Sequence, residues 1–122
     1  INDSPTSTTT FSNLNISLAA TTAIGFQAVN AGPITTTDTN TISTAATALP
    51  AVQIIDSGAL DMTFSTVLSK VTAGTNAAMI FGGSSNGVFT VTSLFDVSGT
   101  KGTVAGDVTG NAPPTMTVTV PP

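Results

Sequence analysis

The stretch Pro113-Pro114-Thr115-Met116-Thr117-Val118-Thr119-Val120-Pro121-Pro122 decides how the rest of this sequence is read. In an extended strand Met116, Val118 and Val120 fall on one face and Thr115, Thr117 and Thr119 on the other. Five of these six residues are β-branched, which suits a pleated, half-buried backbone. Proline donates no ladder hydrogen bond, so the pairs on either side fix where pairing begins and ends. The pattern returns near the other terminus, where Leu14, Ile16, Leu18 and Ala20 alternate with Asn13, Asn15, Ser17 and Ala19.

Between these stretches, turn chemistry punctuates short apolar runs. Residues 1–10 are Ser, Thr and Pro with hardly an apolar side chain, the composition of a polar leader. Residues 21–29 offer a weaker strand with a bulge expected at Gly25. Asn30-Ala31-Gly32-Pro33 is a turn, and 34–48 reads as an edge strand or a long surface loop. Residues 49–55 restore a buried strand, closed by Asp56-Ser57-Gly58. Residues 60–72 satisfy two periods. Leu60, Met62 and Phe64 alternate as in a strand, whereas Leu60, Phe64, Val67, Leu68 and Val71 also line one face of a helix. Residues 77–81 and 88–97 read as two strands of a hairpin around the glycine-rich loop 82–87. No internal repeat at a solenoid period stands out. Short strands with turn signals about every 8 to 12 residues predict an all-β fold, an Ig-like or jelly-roll-type β-sandwich with an extended N-terminal strand. On this reading residues 1–20 are leader and donor strand, and 21–122 are the sandwich body.

The surface this chain can build is nearly neutral. Only 7% of its 122 residues are charged, with six Asp, two Lys and no Glu, Arg or His. The exterior must therefore be made of Thr, Ser, Asn and Gln. Two cations against a net charge of -4 cannot neutralise a row of phosphates, so nucleic acid is not an expected partner. No apolar run approaches the roughly 20 residues of a spanning helix, and membrane insertion is not expected. The sequence opens on Ile1 rather than Met, as it would after removal of a signal sequence or after trimming.

Lacking His, Cys and Glu, the chain is without the commonest general bases and transition-metal ligands, and no catalytic residue, metal site or cofactor is expected. Paired aspartates could in principle act as glycosidase carboxylates or hold calcium. The candidates are Asp56 with Asp61, Asp96 with Asp107, and Asp38-Thr39-Asn40, each equally well read as a solvated turn aspartate. Asn15-Ile16-Ser17 is an N-glycosylation acceptor on the polar face of its strand.

The alternating N-terminal extension, with Leu14, Ile16 and Leu18 on one face, resembles that of donor-strand fibre subunits, the chaperone-usher-type pilins and extracellular matrix filaments. The cysteine pair common in many such pilins is missing here. The resemblance implies a non-enzymatic, extracellular structural subunit that polymerises with itself by β-strand addition. It places the subunit interface at Phe11, Leu14, Ile16 and Leu18, with Met116, Val118 and Val120 as the other regular strand. An adhesin or carbohydrate-binding module, or a viral capsid or decoration protein, shares the all-β composition. The absence of Trp and Tyr leaves a sugar-binding module without its usual aromatic platforms.

Overall fold

In a computed structural model the described residues are 1–71, 77–97, 104–105 and 115–119, with 94–97 and the last two segments described as backbone. Twelve strands follow one another: β1 (Asn2–Ser4), β2 (Thr9–Ser12), β3 (Asn15–Leu18), β4 (Phe26–Ala31), β5 (Ile34–Thr37), β6 (Thr41–Thr44), β7 (Val52–Ile55), β8 (Leu60–Ser69), β9 (Met79–Gly82), β10 (Asn86–Val97), β11 (Val104–Ala105) and β12 (Thr115–Thr119). One sheet has the order β1-β4-β7-β9-β11 and the other β12-β10-β8-β5-β2, with β3 and β6 stacked beside it and β6 also paired to β8.

Every described pair is parallel. A parallel neighbour cannot be reached by a tight hairpin. Here the chain travels once around a coil and returns one layer further on, with residues 26 or 27 positions apart hydrogen-bonded to each other. The architecture is an all-β solenoid. This overturns the Ig-like or jelly-roll sandwich expected from the strand spacing, and with it the absence of a repeat. Side-chain alternation has a period of two whichever way the neighbouring strand runs, so it carries no information about direction. The expected hairpin at 77–97 fails for the same reason: β9 lies in the first sheet and β10 in the second, and the glycine-rich loop between them is a corner.

In the first two coils each circuit holds three strands, β1 to β3 and then β4 to β6. In the third, β8 covers two sides at once, pairing β5 at Leu60 and Asp61 and β6 at Thr66 to Leu68. Leu60, Met62, Phe64 and then Val67 are buried, with Ser65 and Thr66 both turned partly out at the bend. That skipped alternation puts Phe64 and Val67 three residues apart and reproduces a helical spacing inside a strand. Residues 60–69 are strand throughout. The segment 34–48, read as an edge or a loop, supplies β5 and β6, each flanked by strands on both sides.

The core runs along the solenoid axis. Ile34, Ile42, Ile54, Met62, Phe64, Phe81 and Phe89 are fully buried within one continuous cluster. Phe64 and Phe89 stack with ring centroids 5.3 Å apart, and Phe81 tilts against Phe89 at 5.2 Å. The corners repeat as well. Asp3 and Asn30, the penultimate residues of β1 and β4, and Asp56 and Gly83, the residues just after β7 and β9, all adopt positive φ, between 50° and 62°. Asn, Asp and Gly enter this region at the least steric cost. Asn30 Nδ2 donates to Asp3 Oδ1 at 3.1 Å, and Asp56 Oδ1 accepts from the Ser84 amide at 2.9 Å, so successive corners are tied to each other.

Candidate assembly edge

A solenoid coil has a neighbour above and below unless it lies at the end of the stack. Strands β1, β2 and β3 form such an end among the described residues, each paired on one side only, with β4, β5 and β6 respectively. Along β3, Leu14 O and Leu18 O accept from Thr41 N and Ala45 N at 2.8 and 3.0 Å. In a parallel ladder alternate residues turn their N–H and C=O to opposite edges, so the outer edge carries those of Asn15 and Ser17.

The side chains of this coil show the same one-sidedness. Ile1, Phe11, Leu14 and Ile16 pack against the core, Phe11 meeting Phe26 edge to face at 5.7 Å, yet all four remain only partly buried. Leu18 is likewise half-buried. Ile42, which stacks on Ile16 one coil on, is fully buried. The difference is a missing layer rather than a different pattern. The strands β2 and β3 carry no charge and no proline, the usual means of blunting an open edge.

The first coil is held in place by Asn40. This side chain is buried in the second coil and bonds across three layers: its Oδ1 accepts from the Leu14 amide at 2.9 Å, and its Nδ2 donates to Thr37 O and Thr63 O, both at 3.0 Å. Nothing in the sequence distinguishes Asn40 from the other Asn residues. Its role depends on the Leu14 amide and the Thr63 carbonyl, which the stacking of the first and third coils brings to either side of it.

The interface residues expected from sequence divide between the two ends of the stack. Phe11, Leu14, Ile16 and Leu18 lie on the first coil. Met116 and Val118 lie in β12, at the opposite edge of the second sheet, and Val120 falls outside the described residues. The strand expected to be donated, 11–20, is paired to its own chain along one edge and open along the other. Ile1 joins this group without having been singled out, because one apolar residue in a polar segment gives no periodic signal. Asn15 is exposed, and its Oδ1 accepts from Thr41 Oγ1 at 2.9 Å.

Asp38 accepts from Ser12 and Thr37, and the Asn40 Oδ1, the atom of that side chain that could face a cation, accepts from the Leu14 amide. Asp56 caps the Ser84 corner, and Asp61 is exposed on the outer face of β8. Asp96 and Asp107 fall outside the residues whose side chains are described. Among the described residues no cluster of three or more metal-ligating side chains occurs. No family model, curated protein or solved structure matches the chain.

Proposed function

We propose that this chain is a structural subunit of an extracellular filament, whose copies join by β-strand addition at the open edge of the first coil. The observation that carries the reading is the half-covered apolar layer of Ile1, Phe11, Leu14 and Ile16, bordered at β2 and β3 by strand edges that lack charge and proline, with Asp3 of β1 the one charged side chain in the strands of this coil. An unprotected edge templates pairing with another chain. Each of these side chains would contribute up to about 1.5 to 3 kcal/mol on complete burial, less the part already buried. The outer surface supports an extracellular, non-enzymatic role. Thr10, Thr35, Thr37, Thr63 and Thr90 face outward at exposed or half-exposed positions, forming a hydroxyl coat almost free of charge. A glycan at Asn15 would project from the flank of the solenoid, since the Thr41 bond occupies Oδ1 and leaves Nδ2 available.

The test is sedimentation and negative-stain microscopy of the purified protein over a concentration series. Ser17→Pro removes an N–H from the outer edge only and leaves the β3–β6 pairing in place. Filaments from the native chain that Ser17→Pro abolishes, with the circular dichroism melt unchanged, are the expected result. A native chain that stays monomeric at the highest concentration reached overturns the proposal.

A further inference from the structure

Resting on that reading, we infer that the open edge of β2 receives β12 of a second copy, in parallel and head to tail, so that the solenoid continues across the junction in register. Strands β2 and β12 terminate opposite edges of the same sheet, and both run in the same direction as every strand between them. Two rows of paired residues cross the whole sheet. One is Thr9, Ile34, Leu60, Gly87, Met116, and the other is Thr10, Thr35, Asp61, Val88, Thr117. Adding a copy in this register places its Thr9 after Met116 and its Thr10 after Thr117, extending both rows without a break. The evenly spaced, slanted bonds of a parallel ladder are then met by a second edge of the same kind.

A head-to-head contact about a two-fold axis fits the same edge badly. It reverses the sense in which one copy's chain travels around the coil, and the corners of this coil are unlike one another. Between β4 and β5 the corner is two residues, Gly32 and Pro33, packed so closely that a Cβ on Gly32 would meet the Pro5 carbonyl oxygen of the first coil at 2.8 Å. Between β6 and β7 it spans residues 45–51. Long and short corners superpose only when both copies turn the same way. A head-to-tail contact is also heterologous, and it propagates unless its rotation closes a ring.

The absence of cysteine makes the register directly readable. Stacked Cα positions lie about 4.8 Å apart, inside the roughly 4.4 to 6.8 Å that a disulfide spans. Three single variants, Thr10→Cys, Thr117→Cys and Thr119→Cys, are mixed in pairs under oxidised glutathione and separated without reductant. A cross-linked dimer from Thr10→Cys with Thr117→Cys, and from neither variant alone, is the expected result, at least ten-fold above the pair Thr10→Cys with Thr119→Cys. Stronger linkage to Thr119→Cys overturns the register. Thr10→Cys and Thr117→Cys each linking only to themselves would overturn the head-to-tail polarity while leaving filament formation intact. Filaments without any of these links overturn the inference alone, whereas monomers throughout overturn the proposed function with it.

Discussion

Replacing Asn40 tests whether the coils are held together by polar groups inside the stack as well as by the apolar core. Truncation in Asn40→Ala strands two backbone groups, the Leu14 N–H and the Thr37 carbonyl, bonded at 2.9 and 3.0 Å, while the Thr63 carbonyl loses one donor and keeps the Thr36 hydroxyl at 3.2 Å. A buried polar group left without a partner costs about 1 to 3 kcal/mol. These bonds are part-buried and carbonyls keep a second lone pair, so the lower half of that range applies to each. For the two stranded groups the sum is roughly 2 to 4 kcal/mol, a large share of the roughly 5 to 15 kcal/mol that holds a typical domain folded. Urea unfolding followed by far-ultraviolet circular dichroism reads the total, and hydrogen exchange at the Leu14 amide reads the local part. Stability within about 0.5 kcal/mol of the native chain, the usual effect of a surface change, would refute the reasoning.

Asn40→Asp sharpens the same test. One carboxylate oxygen can still accept from Leu14 N–H, but the other faces the Thr37 and Thr63 carbonyl oxygens where an amide had donated. The charged form is disfavoured, so the folded-state pKa of the introduced Asp rises above its unfolded value of about 3.9. A raised folded pKa means that the native state holds the proton more tightly. The variant should therefore be closest to native stability below about pH 3.9 and lose ground as pH rises through the folded-state pKa. A gap between variant and native chain that stays flat from acid to neutral pH would show that the side chain has moved away from the carbonyls.

Other substitutions probe the core, the corners and the sheet register. Thr44 is buried with its Oγ1 unpaired, so Thr44→Val should raise stability by about 1 kcal/mol, and a lower melting temperature would reveal a hidden partner. Gly87 sits at φ 110° with its missing Cβ aimed at the Leu60 backbone, so Gly87→Ala should cost more than about 1 kcal/mol and loosen the β8–β10 pairing, read by exchange along β10. Phe89→Ala removes the ring that touches both Phe64 and Phe81 and should cost about 3 to 5 kcal/mol in chemical denaturation, with a smaller loss overturning the central place given to this cluster.

What the sequence discloses of this fold is the strands, and what it withholds is their direction. Thr115 to Thr119, Val52 to Ile55 and the run from Leu60 announce themselves by alternation and β-branching, and each is a strand. Whether the next strand returns beside its predecessor or a full coil later depends on the connection. Turn residues mark a change of direction without specifying its angle. The sharper signal lay in the spacing of Asp3, Asn30, Asp56 and Gly83, four residues tolerant of positive φ that recur once per coil. Their identities differ, so comparison by residue type passes over a column that comparison by backbone tolerance would reveal. The site divides the same way. Alternation shows that Leu14, Ile16 and Leu18 share an apolar face, but a pattern within one strand cannot say whether another layer covers that face. Stacking answers this, because Ile42 pairs with Ile16 in register and is fully buried while Ile16 is not. Two residues of the same type in the same column differ only in having a coil on both sides or on one. The partial exposure of Ile16 is thus a property of its place at the end of the stack, and the open edge beside it is where a second copy would restore the layer that Ile42 already has.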